Sequence, residues 1–230
     1  VNRGLAIALA VVSIAVAACG GSSLAPAPQP TAGAAVTPAP LPAGQHTSAA
    51  FQPAVTFTTT EGWVLYTDTP SYLNLGPVVG GDVVGIHLFR DPLPLAQASD
   101  CPLSAEPGVS ATSSVTFLAW MKTLKGFTLT TPTMATIGGL PASAVDVSIK
   151  ANWTSSCPFA GGLPTVPLFY GATSGLRWVV AGDQRLRLYF VDLPNGGFFV
   201  VDIDAFVGTE MDGLLSAAAP VIKSMTFASN

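Results

Sequence analysis

The chain has 230 residues, room for one ordinary domain behind a leader, and a formal charge of only −4. Charged residues make up 10% of it, well under the usual quarter, so no basic surface is available to hold nucleic acid. The first element in chain order is an apolar run from Leu5 to Ala18 behind Arg3, which reads as a secretory signal. At about 14 residues the run is shorter than the roughly 20 that a membrane-spanning helix needs, and no charged stop follows it.

The run closes on Val16-Ala17-Ala18-Cys19, followed by Gly20, Gly21, Ser22 and Ser23. This tetrad resembles the bacterial lipobox, in which small residues precede a cysteine that receives a diacylglyceryl group before the signal is removed. The resemblance implies a mature protein that begins at Cys19 and is held on a membrane by lipid. Each buried acyl methylene is worth about 0.8 kcal/mol, and two or more chains make attachment lasting. Val16 stands where leucine is commoner; the alternative is an ordinary signal in which Cys19 is incidental.

From residue 19 to about residue 50 the chain is Pro, Ala, Thr, Ser and Gly with no charge, a composition that predicts a disordered, partly polyproline tether. Residues 51–230 are then one domain, with no internal repeat. Val55 to Thr59 and Trp63 to Thr67 flank Glu61-Gly62 and predict a hairpin, and Val83 to Phe89 a further strand. Ser113 or Ser114 can cap a helix whose inner face is Phe117, Trp120, Met121 and Leu124, with Gly126 ending it. Phe127 to Thr130, Met134 to Ile137 and Ala142 to Ile149 follow as strands, with Leu168 to Tyr170 a weaker candidate.

With Cys19 committed to lipid, Cys101 and Cys157 remain, and two thiols in an oxidising compartment most simply pair. The alternative is two separate buried thiols; neither has the C-x-x-C partner that a metal site would use.

Leu176 to Phe206 predicts a meander. Asn195-Gly196 is a strong two-residue turn signal, and centring the turn there pairs residues whose numbers sum to 391. Arg187 would then face Asp204 and Tyr189 would face Asp202 on a polar side, with Leu188 and Phe190 facing Ile203 and Val201 on an apolar one. A second turn at Gly182-Asp183 would add Trp178 to the polar side. A closing helix runs from about Glu210 to Lys223, with Thr209 and Asp212 at capping-box spacing, Pro220 as a kink, and Met211, Leu214, Leu215, Ala218 and Ile222 as its inner stripe. A short strand over Met225 to Ala228 ends an α+β layout, an antiparallel sheet with two main helices packed on it.

The order of elements, together with Gly62-Trp63, Gly138-Gly139-Leu140-Pro141 and the closing Val221-Ile222-Lys223-Ser224-Met225-Thr226-Phe227, is similar to secreted domains of the PsbP/Mog1-like group, which includes mycobacterial lipoproteins of the LpqN type. The resemblance spans about residues 51–227. It implies an αβα sandwich with an accessory or binding role, and it brings no catalytic residues with it.

Patterns that carry chemistry are sparse. His46 falls in the tether and His87 in a strand, so there is no histidine cluster, and neither a nucleophile-elbow, a zinc-protease, a phosphate-loop nor a cofactor pattern occurs. Asp202 and Asp204, two apart on one strand, could ligate calcium, or could simply pair with Arg187. Asn152-Trp153-Thr154 fits a glycosylation pattern and is given no role.

Two function classes follow. The first is a non-enzymatic binding or accessory module at the cell envelope that contacts a glycan, lipid or protein through Trp178, Arg185, Arg187, Tyr189, Asp202 and Asp204. The second is an envelope hydrolase using the Asp202 and Asp204 carboxylates. Carriage of lipid in an apolar cavity is a further alternative, which a tight core of Phe117, Trp120 and Leu188 would count against.

Overall fold

A computed structural model of the chain describes residues 38–78, 84–171, 173–206 and 208–228. In chain order the strands are β1 (Ala39–Leu41), β2 (Gly44–Thr47), β3 (Val55–Thr59), β4 (Trp63–Asp68), β5 (Tyr72–Pro77), β6 (Gly85–Arg90) and β7 (Leu93–Pro94). Helix α1 (Ser114–Met121) precedes β8 (Phe127–Leu129), β9 (Thr133–Ile137), β10 (Leu140–Ile149), β11 (Thr165–Gly171), β12 (Leu176–Ala181), β13 (Arg185–Asp192) and β14 (Phe198–Ala205). Helix α2 (Met211–Ser224) and β15 (Thr226–Phe227) close the described chain.

The main antiparallel sheet runs β1-β4-β5-β6-β14-β13-β10-β8, with β9 also paired to β10. Strands β12-β11-β7 form one small sheet and β15-β3-β2 another. Side chains alternate along the main strands, so each face buries its own core. On one face Leu73, Leu75, Ile86, Leu88, Phe199, Val201 and Ile203 pack with Val55 and Phe57 of β3 and with Leu214, Ala218 and Ile222 of α2. On the other, Phe89, Leu186, Leu188, Phe190, Phe198 and Val200 pack with α1 and with Val166, Leu168, Phe169 and Val180 of the β7-β11-β12 sheet. The result is an αβα sandwich with a small sheet in each outer layer. Every residue of β14 is buried, as a central strand covered on both faces must be.

Helix α1 begins as its sequence predicts but ends at Met121, before Leu124 and the expected stop at Gly126. The Ser113 hydroxyl accepts from Thr116 N and the Thr116 hydroxyl accepts from Ser113 N, a reciprocal cap. Phe117, Trp120 and Met121 are buried, at roughly 1.5–3 kcal/mol each. Phe117 packs on Trp120 at 5.1 Å and on Phe169 at 5.5 Å, and Leu188 lies in the same core, so the space beneath α1 is filled with side chains. Cys101 and Cys157 are bonded, with their Cα atoms 5.6 Å apart and 56 positions between them. The bridge ties the segment before α1 to the segment entering β11, a closure worth roughly 4 kcal/mol in the chain-entropy model.

Several expectations are corrected. Strand pairing begins at Ala39, so the folded body reaches into the segment expected to be tether as far as residue 50. Strands β3 and β4 do not form a hairpin. The turn at Gly62, at φ +91°, sends the chain from the outer β15-β3-β2 sheet into the main one, because Val55 and Phe57 bury beneath α2 while β4 pairs with β1 and β5. Strand β5, of mixed Tyr-Leu-Asn-Leu-Gly-Pro character, is not predicted at all. Strand β12 pairs with β11 rather than with β13, so the chain changes sheets at Gly182-Asp183. Helix α2 starts from Glu210, which makes no side-chain cap, after a short 3-10 turn, and continues past Pro220 to Ser224; the Thr209 side chain of the expected capping box lies outside what is described.

The most consequential correction is the register of β13 with β14. The turn is displaced by one residue: it centres on Pro194-Asn195, and Pro194, Asn195 and Gly196 form a three-residue loop closed by Leu193 and Gly197. Gly196 N donates to Leu193 O at 3.0 Å and Leu193 N donates to Gly197 O at 3.0 Å, with Gly196 at φ +94° and Gly197 at φ +78°. Asp91 holds the start of the returning strand in place: its Oδ1 accepts from Phe198 N at 2.8 Å, and a Cβ on Gly197 would lie 2.6 Å from that oxygen. Pairs therefore sum to 390. Arg187 faces Ile203, Leu188 faces Asp202 and Leu186 faces Asp204. A one-residue slip carries a whole strand face to the other side of the sheet.

Candidate functional site

The slip divides the predicted ligand set between the two faces of the sheet. Arg185, Arg187 and Tyr189 remain together on the face that carries α2. Asp202 and Asp204 lie on the opposite face with Leu186 and Leu188, and Trp178 of β12 belongs to the core there. The expected ladder of Tyr189 with Asp202 and Arg187 with Asp204 does not form, because one residue of loop length was missing from the reckoning.

On the open side, Asp146 of β10 stands directly across from Arg187 of β13. Arg187 Nε donates to Asp146 Oδ1 at 2.6 Å and Nη2 donates to Oδ2 at 2.8 Å, a two-pronged pair whose side chains keep 34% and 44% of their exposure. The hydrogen bonds to Asp146 raise the pKa of Arg187 further, so its charge is permanent. Burial pushes the Tyr189 hydroxyl up and Arg187 pulls it partly back, so the phenol stays protonated and able to donate. Thr130 Oγ1 accepts from Asp146 N at 2.9 Å. The pair forms the floor between two adjoining clefts. One, of about 440 Å³, is lined by Thr130, Thr131, Thr133 and Tyr189; the other, of about 280 Å³, by Arg185, Thr128, Met211 and Asp212. Hydroxyls, a phenol, guanidiniums and carboxylates around so shallow a space suit a hydrogen-bonding ligand. Asp146 and the threonines were missed by sequence reasoning, although the outward positions Ala144, Asp146 and Ser148 in β10 carried the signal.

The covered face holds a polar cluster inside an aromatic core. Asp202, Asp204 and His87 are fully buried, with His87 the cross-strand neighbour of Asp202. Tyr72 Oη is hydrogen-bonded to His87 Nδ1 at 2.9 Å, and the Trp178 ring packs 4.6 Å from the His87 ring. Gln184 Nε2 donates to Asp204 Oδ2. His87 Nε2, Trp178 Nε1, Asp204 Oδ1 and both Asp202 oxygens have no hydrogen-bond partner among the described residues. Burial holds the His87 pKa down to about 3, so the ring is neutral. Burial pushes Asp204 up to about 7 against the opposing bond from Gln184. Asp202 is raised well above the ordinary carboxylate range, by burial first and then by Asp204, with the nearby Trp178 indole opposing. Neither aspartate lines the open clefts, and among the described residues no group of His, Cys, Asp or Glu is placed to hold a metal ion.

The signal, the lipobox tetrad and Cys19 lie outside the described residues. Among those described, no helix is long and apolar enough to cross a membrane.

No protein-family model matches the chain, and no curated protein matches it. Among solved structures it is similar to the cyanobacterial PsbP (CyanoP) of Synechocystis sp. PCC 6803, with TM-score 0.42 and 9% identity over 82% of this chain and 95% of that one. It is also similar to LpqN of Mycobacterium tuberculosis, titled as involved in cell envelope biogenesis, with TM-score 0.40 and 16% identity over 84% and 91%. The α+β class rests on the strand pairing and helix packing themselves.

Proposed function

We propose that the chain is a lipid-anchored, extracytoplasmic lipoprotein with a non-enzymatic binding or accessory role at the cell envelope. The lipobox at Val16 to Cys19 supports the anchor, and the Cys101–Cys157 bridge fits an oxidising compartment. The observation that carries the binding role is the Arg187–Asp146 pair, half-exposed on the floor of two hydroxyl-lined clefts. A fixed ion pair presents both a donor array and an acceptor without reorganising, which favours capture of a polar ligand over chemistry on it. The hydrolase reading through Asp202 and Asp204 is not favoured, since both carboxyls lie under the Trp178 side of the core. Lipid carriage beneath α1 is not favoured either, because Phe117, Trp120 and Leu188 fill that space.

Two measurements test the proposal. Expressed in a bacterium that processes lipoproteins, the full chain should fractionate with membranes and give an intact mass that begins at a diacylglyceryl Cys19, and Cys19→Ser should leave it soluble. A soluble wild-type chain with unmodified Cys19 would remove the anchor. Native mass spectrometry of the detergent-solubilised protein from its own envelope should show a co-purifying polar molecule that Arg187→Ala loses; a bare wild-type mass would remove the binding role.

A further inference from the structure

A second cleft, of about 560 Å³, opens on the other side of the molecule beside the disulfide. We propose that it is a saccharide-binding site, with Trp153 as the stacking platform for a sugar ring. The site is separate from the Arg187 clefts, and its test is independent of the function proposed for them.

Trp153 is held as a platform must be. Its Nε1 donates to Thr165 O at 2.8 Å, and its backbone N donates to Lys150 O at 2.9 Å. The ring lies against Gly126, where any Cβ would come within 2.8 Å of its Cε2. That close approach explains a glycine after α1: here it serves as the seat for an indole. With its only donor bonded into the fold, the ring has a single part left to offer, its apolar face, and it remains half-exposed. Trp120, buried at the base of the cleft, gives it a second aromatic surface.

Around this platform the wall is polar and carries charge of both signs. Glu106, Lys125, Ser155 and Ser156 line it, and Glu106 is braced by Gln97, whose N donates to Glu106 Oε2 at 2.6 Å. One carboxylate and one ammonium in the same lining give no net preference for an ion, whereas together they offer an acceptor and a donor to the hydroxyls of one neutral polyol. An indole face bordered by such groups matches the two sides of a pyranose, whose C–H face is apolar and whose rim is hydroxylated. The volume falls within the roughly 300–1,000 Å³ of small-molecule sites.

The covalent frame gives the cleft its rigidity. Cys101 forms part of the wall, and its bond to Cys157 fixes it to the strand of chain that carries Ser155 and Ser156. Arg177 Nη1 donates to Cys101 O at 2.8 Å, while the guanidinium stacks over Phe159 at 4.0 Å, bracing the same corner from outside.

The test is titration of the full chain in detergent with maltose and with N,N′-diacetylchitobiose, read by tryptophan fluorescence and by saturation-transfer NMR. At least one sugar is expected to bind in about the millimolar range, with Trp153→Phe keeping most of the affinity and Trp153→Ala losing about tenfold, or about 1.4 kcal/mol. Because Trp153→Ala also removes a bond to Thr165, Ser155→Tyr, at an exposed position, serves as a blocking variant that leaves the platform intact; it should abolish binding with an unchanged circular dichroism spectrum. Arg187→Ala should bind like the wild type. Absence of binding by both sugars at about 20 mM, or binding that survives Ser155→Tyr, or loss with Arg187→Ala, overturns the proposal.

Discussion

The two faces of the β13–β14 ladder manage charge in opposite ways. On the α2 face, Arg187 meets Asp146 across the β10 ladder, and both stay charged because water still reaches them. On the α1 face, Asp202 and Asp204 have no cation beside them among the described residues, and the cost of burying charge favours their protonated forms. The comparison teaches that a half-exposed sheet face can hold its charges by pairing, while a core face must give them up. Which carboxylates fall on which face is decided by one residue of loop length.

The sharpest way to break the comparison is therefore to delete Gly197, the residue that closes the loop. If the turn from Leu193 to Gly196 is kept, the deletion pairs Leu193 with Phe198, a sum of 391, which would place Arg187 and Tyr189 opposite Asp204 and Asp202. It would also bring Val201 and Ile203 to the face where Asp202 and Asp204 now lie, and the core of β14 would be inverted. Cooperative unfolding in urea should be lost, a change larger than any single side-chain substitution makes. A deletion variant that unfolds cooperatively at the wild-type midpoint would show that the register is not set by the loop. Gly197→Ala is the milder form, expected to cost about 1–3 kcal/mol through its φ of +78° and its contact with Asp91.

This loop also marks where the fold was legible in sequence and where it was not. Helix α1 could be read because its cap and its spacing agreed, although it stops at Met121 and not at the expected Gly126, and β10 because its valines alternate with polar residues. The closing helix was legible in its inner stripe but not in its cap, since Glu210 begins it from a 3-10 turn. The pairing of β3 with β15 and of β12 with β11 was not legible, because partner choice depends on burial against distant elements and a short connection only makes neighbours probable. The candidate site suffered the same way. A charge ladder of Arg187 with Asp204 satisfied every local rule and was still displaced, because Pro194-Asn195-Gly196, a turn followed by a glycine at positive φ, signals a three-residue loop as readily as Asn195-Gly196 signals a tight one. Asp146, the true partner, lies 41 residues from Arg187 in sequence.

The neutral pair predicts a pH dependence whose sign can be worked out. Asp204 has a folded value of about 7 against an unfolded one near 3.9, so its contribution is fully present below about pH 4 and is lost as pH rises through 7, roughly 4 kcal/mol in all. Asp202 acts in the same direction. His87, held at about 3, acts in reverse: its contribution is present above about pH 6.5 and lost as pH falls towards 3. The useful window is thus above about pH 6.5, where the remaining titration of the unfolded histidine is smaller than that of the folded Asp204 carboxyl. Urea unfolding should give a free energy that falls from about pH 6.5 to pH 8, and Asp204→Asn should flatten that fall. Wild-type stability that rises across the window would mean that the carboxyls are ionised in the fold.

The smallest effect is expected on the open face, and its smallness is what sharpens the contrast. Arg187→Ala and Asp146→Ala each break a two-pronged pair, yet both side chains keep about a third or more of their exposure, so each change should cost under about 1 kcal/mol of stability. Neither partner is left stranded in a dry core, because water replaces the lost bonds. Either substitution alone should nevertheless empty the clefts of the polar ligand, since the guanidinium and the carboxylate hold each other in the geometry that presents them. Arg187→Lys is the discriminating variant: it keeps the charge but not the fork, so it should leave the urea midpoint near wild type while still weakening ligand capture. If it lowered stability as far as the buried-face substitutions alter it, the pair would belong to the scaffold and not to a binding surface.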